Sequence, residues 1–380
     1  MLKIDTRTVY EEEHTIFREQ VRKFFKKELL PNLARWEVQG IVDRDFWLAC
    51  GEAGLLCPTM PAEYGGSATD FRYNAIIDEE LSYAGSAAGI ILQNDVAADY
   101  LLKFGSTEMK QQWLPGMISG EVIAAIAMTE PGAGSDLQGI VTTAKRDENG
   151  YVISGSKTYV TNGQNADIVI VVARTAADAG AKSFSLILVE SSREGFSRGR
   201  NLDKIGQYSA DTSELFFQDV QVPLTNCIGI ENQGFYYLME SLSQERLSIA
   251  IASQAAAQRA FDEAVAFTKD RKAFGKRVFD FQNTRFTLAD LATRLQVGWA
   301  HLDWAIQRHI SGILTAEQAS AAKLFHSELH WACCDAALQL HGGAGYMNEY
   351  AIAQFWRDAR VTRIFGGTSE IMKELIGRSL

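Results

Sequence analysis

Residues 241–276 combine a carboxylate with groups suited to a phosphate and a flat ring. If the stretch is helical, Glu245 shares a face with Ser248, Ile249, Ala252 and Ala256, three, four, seven and eleven places on. Buried on that small, mostly apolar face, the carboxylate would be desolvated and its pKa pushed upward, toward the range where a general base is useful. Left in water, it is a solvated Glu beside Arg246 in a helix's first turn, where the dipole favours negative charge. From this stretch alone the solvated reading is the simpler one. At the other end, RKAFG sets Arg271 and Phe274 just before Gly275, which is expected to end the helix. A guanidinium and a ring suit phosphate and a planar ligand, although surface Arg and core Phe are the commoner uses.

The densest polar pattern is MTEPGAGSDLQG, residues 128–139. Its glycines and proline fix a tight backbone, while Thr129, Ser135 and Asp136 present polar side chains. Such a loop can aim N–H groups at a phosphate or a polar ring. It lacks the strand–GxGxxG–helix context of a dinucleotide fold, so a Rossmann domain is rejected.

These residues need elements to position them. Residues 10–120 read as helices: an amphipathic stretch over 11–30 broken by Pro31, a short helix over 45–54, a Pro- and Gly-bearing loop PTMPAEYGG, then helices over 70–84 and 87–104. The run Asp78, Glu79, Glu80 reads as a solvated face. Ser86, Ala87, Ala88 and Gly89 open the last of these helices and are small enough for close helix packing or for a ligand tunnel. Residues 121–222 are rich in β-branched residues, with apolar runs at 151–153, 168–173, 184–189 and 214–220 between Gly- and Asn-bearing turns, which suits a small barrel. Helical patterns at 241–272, 281–310, 316–340, 349–360 and 367–377 suit an antiparallel bundle. The expected organisation is a multidomain α+β chain: a helical domain over 1–121, a β-barrel over 122–232 and a helical bundle over 233–380.

A net charge of -10 argues against general nucleic-acid binding. Cys50, Cys57, Cys227, Cys333 and Cys334 show neither CxxC nor zinc spacing, and their odd number points to a reducing compartment. With no apolar signal core and no run of membrane-span length, a cytoplasmic location is expected. No histidine pattern suggests a metal, and none is expected; His341 reads as a turn residue.

Four further pieces accompany the 128–139 loop: YVTNG (159–163), RKAFG (271–275), QLHGGAGY (339–346) and RIFGGTSEI (363–371). Together with MPAEYGG near the front, and in this order on a helix–β–helix architecture, they resemble the acyl-CoA dehydrogenase family over essentially the whole chain. The resemblance implies an N-terminal helical domain, a middle β-barrel and a C-terminal four-helix bundle, assembled as a homotetramer (a dimer of dimers), with FAD between barrel and bundle. It implies that the backbone and hydroxyls of residues 126–135, including Ile126, Met128, Thr129, Gly134 and Ser135, meet the flavin and pyrophosphate. Tyr159, Val160 and Thr161 would flank the ring, with Tyr159 where many relatives have Trp. Arg271, Phe274, Gln282, Gln339, Gly342 and Gly343 would hold the adenine half across a subunit interface, with His341 nearby. Thr368, Ser369 and Glu370 would cap the flavin. Ser135, Tyr236, Arg246 and Gly366 match positions that meet substrate.

One departure decides the base. Many members carry the catalytic Glu immediately before the Gly-Thr of RIFGGTSEI, and here that position is Gly366. The branch that includes the long-chain and isovaleryl-CoA enzymes places it on the bundle helix, and LSQERL fits that branch, so Glu245 becomes the expected base. The implied reaction converts an acyl-CoA to the trans-2-enoyl-CoA: Glu245 takes the α-proton, flavin N5 takes the β-hydride, and a flavin hydroxyl with the Gly366 N–H steadies the thioester oxygen. An electron-transferring flavoprotein would reoxidise the flavin, as in fatty-acid β-oxidation. The small residues at 86–89 suggest medium-to-long or branched chains. Alternatives are an oxygen-using flavin oxidase on the same fold, a dehydrogenase acting on an acyl-carrier protein, and a catalytically silent binding or scaffold relative.

Overall fold

A computed structural model describes residues 7–177 and 180–380. Six helices come first: α1 (Glu12–Phe24), α2 (Leu33–Gln39), α3 (Arg44–Glu52), α4 (Phe71–Tyr83), α5 (Ala98–Phe104) and α6 (Thr107–Ser119). The first continues as a wider turn over Phe25–Leu29 and stops ahead of Pro31, whose ring cannot continue it. Asp70 and Ser106 start α4 and α6 by accepting the N–H groups of Arg72 and Met109.

Two expectations fail here. Asp78, Glu79 and Glu80 are buried, not solvated. Three arginines account for the two glutamates. Arg7 Nη1 lies 2.8 Å from Glu79, Arg18 Nη1 2.8 Å from Glu80, and Arg22 Nε 2.7 Å from Glu80. Arg7 also pairs with Asp303, so this residue ties the segment ahead of the first helix to Glu79 and to the bundle. Charges can sit inside because they are paired there. Residues 86–89 do not open a helix either; they form the connection before a helical turn that begins at Ile90.

The middle unit is one mixed sheet of β1 (Ala124–Ala127), β2 (Thr143–Arg146), β3 (Tyr151–Thr161), β4 (Ile168–Arg174), β5 (Phe184–Glu190), β6 (Phe196–Asn201), β7 (Thr212–Val222) and β8 (Cys227–Ile228). The order is β6-β7-β3-β2-β4-β5-β8, with β1 parallel to β4. Period-two alternation explains why β4 reads as an unbroken apolar run. Ile168, Ile170 and Val172 face the core of the helical domain, while Val169, Val171 and Ala173 face Leu215, Phe217 and Val220 inside the β unit.

The bundle contains α7 (Gly234–Asp270), α8 (Gln282–Ile310), α9 (Ala316–His341), α10 (Ala351–Ala359) and α11 (Ser369–Arg378). Residues 247–255 of α7 pack on 299–306 of α8, and 256–264 on 288–295, so these two helices are antiparallel. The pairs Arg246–Ser320, Gln254–His326 and Phe267–His341 advance together, so α9 runs parallel to α7. The long helix ends at Asp270, and Gly275 does not terminate it. Instead Phe274 (φ 52°) and Gly275 (φ 78°) form the two-residue turn of a hairpin, β9 (Lys272–Ala273) with β10 (Lys276–Arg277). Left-handed conformations at both turn positions match strand twist. Among the described residues no helix is long and apolar enough to cross a membrane.

Candidate active site

Because α7 begins at Gly234, Glu245 stands in its interior and not in a first turn, which removes the basis of the solvated reading. Its side chain is buried, with the residue 9% exposed, and Tyr100 donates its hydroxyl to Glu245 Oε1 at 3.0 Å. Burial pushes the carboxyl pKa up to about 7, while the Tyr100 hydrogen bond and the charge of Arg246 restrain the rise. The Tyr100 hydroxyl is itself pushed upward by burial and by Glu245, so it stays a donor at neutral pH. The result is a carboxylate of moderate basicity held in one orientation.

Glu245 opens onto a cavity of about 280 Å³. Ser248, Ile249, Ala252 and Ala256, the stripe expected from the helical spacing, carry its wall along α7, and Ser253 joins them. That wall is ~16 Å long from Glu245 to Ala256. Residues 85–89 form another side, Ile126 and Thr161 come from the sheet, and Phe365 and Gly366 face α7. Two glycines make these close approaches possible. A Cβ on Gly89 would lie 1.9 Å from Asn162 Oδ1, and Asn162 Nδ2 bonds the carbonyls of Gly89 and Ala124 at 3.3 and 3.2 Å, pinning the pocket loop to the sheet. Gly366 has φ +62°, and a Cβ there would lie 2.2 Å from Ile249 Cδ1, one turn beyond Glu245. The turn is held from α9, where buried Lys323 donates to the Gly367 carbonyl at 2.6 Å.

The 128–139 loop begins two residues after Ile126, which lines this cavity, and is clamped at both ends. Lys157 Nζ donates to the Met128 carbonyl at 3.0 Å and to Glu130 Oε1 at 2.9 Å, and Glu130 accepts the N–H groups of Val141 and Thr142. Burial lowers the Lys157 pKa to about 8, partly offset by Glu130. The Thr129 carbonyl accepts from Thr158 N at 2.9 Å, which joins the loop to the Tyr159–Thr161 segment. Tyr159 sits at a β-bulge with φ 58° and is 69% exposed, offering its ring outward. Gly132 and Gly134 have no atom within 4 Å of where a Cβ would stand. An open glycine backbone beside an unburied ring, next to a cavity between sheet and bundle, fits a flavin nucleotide.

Family profiles match along the chain: the acyl-CoA dehydrogenase N-terminal domain over residues 11–121, the middle domain over 125–220 and the C-terminal domain over 232–380. The mitochondrial long-chain specific acyl-CoA dehydrogenase of Sus scrofa is 46% identical over 380 residues, covering 99% of this chain and 88% of that protein. The chain belongs to the acyl-CoA dehydrogenase family. A crystal structure of acyl-CoA dehydrogenase from Geobacillus kaustophilus agrees with a TM-score of 0.97 at 46% identity, covering 98% of this chain and 99% of that one. A chain in a structure described as the electron transferring flavoprotein of Acidaminococcus fermentans agrees with a TM-score of 0.93 at 32% identity, covering 97% and 98%. This acyl-CoA dehydrogenase is therefore an oxidoreductase, and its relatives support dehydrogenation of an acyl-CoA.

The structure of the dehydrogenase sorts the expected site residues into groups. Glu245, Ile126, Thr161 and Gly366 line one cavity. Val160 turns its side chain into the β core, so only its backbone is available to a ligand. Ser135 is exposed and Tyr236 half-exposed, while Arg246 is buried and donates to Ser320 Oγ at 3.2 Å. Thr368 Oγ1 accepts the N–H of Ile371 as the cap of α11, and Ser369 donates to Glu328 Oε1 at 2.9 Å, so both hydroxyls are engaged by protein. Glu370 is exposed.

Arg271, Phe274, Gln282, Gln339, Gly342 and Gly343 gather at the opposite end of the bundle, all exposed, with Phe274 95% so. The hairpin brings Val278 N to the Arg271 carbonyl at 2.8 Å, and Phe267 stacks on His341 at 4.2 Å, joining the ends of α7 and α9. His341 is thus a buried helix-end residue, its Nδ1 on the Ala337 carbonyl, and not a turn residue. Arg271 lies ~39 Å along α7 from Glu245. Among the described residues, Glu11, Glu13 and His14 come close enough to share a metal, a grouping the histidine pattern did not suggest; there His14 Nδ1 already accepts the Glu11 N–H.

Sequence reasoning missed Tyr100, Lys323, His330 and Asp358. Tyr100 and Lys323 sit in helices where their types suggest core and surface. His330 carried one usable signal, its place one turn after His326.

Proposed function

We propose that this dehydrogenase converts a medium-to-long or branched acyl-CoA to its trans-2-enoyl-CoA, with Glu245 removing the α-proton. The observation that carries this reading is the buried Glu245 carboxylate at the head of a cavity whose opposite wall is glycine. When bound, FAD supplies the oxidising chemistry and takes the β-hydrogen as hydride. Glu245 holds the proton, Tyr100 fixes the orientation of the carboxylate, and the Gly366 N–H meets the thioester oxygen, with Lys323 steadying that turn.

The 128–135 backbone, Tyr159, Thr161 and the 368–370 turn would hold the flavin half. The exposed cluster around Arg271 and the Gln339, Gly342 and Gly343 turn is too far along α7 to serve the same flavin, which supports a shared site: the adenine half of one subunit's FAD held by another subunit, in a homotetramer. An electron-transferring flavoprotein as acceptor draws support from the Acidaminococcus fermentans relation. The unpaired cysteines support a reducing, cytoplasmic setting.

The test is anaerobic titration of purified holoenzyme with acyl-CoAs of graded length. Bleaching of the flavin's long-wavelength band with formation of enoyl-CoA is expected, strongest for long chains. A flavin unmoved by every acyl-CoA would defeat the reading, and peroxide at matching rates in air would assign it to an oxidase.

A further inference from the structure

The cavity does not stay apolar to its inner end. His330 on α9 lines it, is 4% exposed, and has no hydrogen-bond partner at Nδ1 or Nε2 among the described residues. Ser253 on α7 lines the same cavity, is 1% exposed, and its Oγ is equally without partner among them. One turn earlier on α9, His326 is satisfied twice, by Gln254 Oε1 at 2.8 Å and His301 Nδ1 at 3.3 Å. Burying an imidazole and a hydroxyl without partners forfeits their hydration, which a ligand with matching polarity restores.

Position and charge narrow that ligand. On the parallel helices the Phe267–His341 pair sets His330 level with Ala256 and the Gln254–His326 pair sets it level with Gln258, ~16–20 Å along α7 from Glu245. An extended alkyl chain advances somewhat less than one ~1.5 Å bond per carbon, which puts His330 roughly 12 to 15 carbons beyond the reacting one. Burial drives the His330 pKa down to about 3, so the ring is neutral, with one donor and one acceptor. Asp358 lines the same cavity, its carboxyl pushed up to about 7 by burial, and opposes an acidic tail.

We infer that His330 and Ser253 form a polar subsite for a neutral oxygen, a hydroxyl or carbonyl, carried near the tail of a long acyl chain. This rests on Glu245 marking the reacting end. The substrate class of the dehydrogenase then includes tail-oxygenated long-chain acyl-CoAs as well as plain ones.

The experiment compares tetradecanoyl-CoA with its ω-hydroxy analogue on holoenzyme, wild type and His330→Leu, with His330→Gln as the variant that keeps hydrogen bonding. The wild-type ratio of kcat/KM, hydroxy over plain, should be near or above one. In His330→Leu it should fall ~5- to 100-fold, the range of a lost buried hydrogen bond, mainly through KM because the subsite is remote from the chemistry. His330→Gln should recover part of the ratio. A ratio unchanged in His330→Leu, or a wild type that rejects the hydroxy chain, overturns the subsite while the dehydrogenase reading stands. Flavin unreduced by tetradecanoyl-CoA in the wild type overturns both.

Discussion

Gly366 and Ile249 stand so close that a Cβ on the glycine would fall 2.2 Å from Ile249 Cδ1. The carboxylate cannot simply be moved between the two walls of the cavity. Glu245→Gln should retain folding and FAD while flavin reduction falls by ~10²–10⁴-fold, the scale of a lost general base. Anaerobic stopped-flow absorbance reads this, and a near-normal rate would show that Glu245 is not the base.

Relocating the base should need a second change. Gly366→Glu in a Glu245→Gly background should recover little rate, because it meets both the Ile249 side chain and a left-handed backbone. Adding Ile249→Ala should raise the recovered rate further. Equal recovery with and without Ile249→Ala would mean that this contact does not set the barrier.

Tyr100→Phe removes the hydrogen bond that favours the ionised form of Glu245. Burial then acts with less opposition, the pKa rises above about 7, and less of the base is ionised at neutral pH. The acid limb of the kcat/KM profile should move to higher pH, with activity regained there. A limb that stays in place or moves down would contradict the assigned direction. The same sign holds for stability: a carboxyl whose folded pKa is raised contributes stability below its unfolded pKa, and that contribution is lost as pH climbs through about 7.

Ala88 is buried on the cavity wall within residues 86–89. Ala88→Phe should shift preference toward shorter acyl chains, and a screen of chain lengths by flavin reduction measures it. An unchanged optimum, or butyryl-CoA as the best substrate of the unmodified enzyme, would place the end of the acyl chain elsewhere.

Arg271→Ala should lower FAD occupancy and weaken the oligomer together, since one charge-assisted contact would serve both. Absorbance ratio and size-exclusion chromatography report the two quantities. A fully flavinated, intact oligomer would separate Arg271 from cofactor binding.

The helical faces were readable from the chain, because periodicity records burial directly: the stripe from Glu245 to Ala256 was set out correctly by spacing alone. What escaped was pairing between distant segments. Nothing near Glu79 announces Arg7 or Arg18, so a buried ionic cluster read as a solvated one. Tyr100 looks like any core aromatic until α5 is laid against α7. The 271–275 stretch misled for a local reason, since Gly275 serves a hairpin as readily as a helix end.

The long helix α7 contains no proline and no glycine after its first residue, so it has no internal hinge. It acts as a lever arm: at ~39 Å, a tilt of one degree at the hairpin end displaces Glu245 by on the order of 0.7 Å. Misplacing a catalytic group by ~1 Å can cost ~10²-fold in rate. Any tilt at the exposed turn that carries Phe274 would therefore reach a base it never touches, and the packing of α8 and α9 along α7 is what resists that tilt.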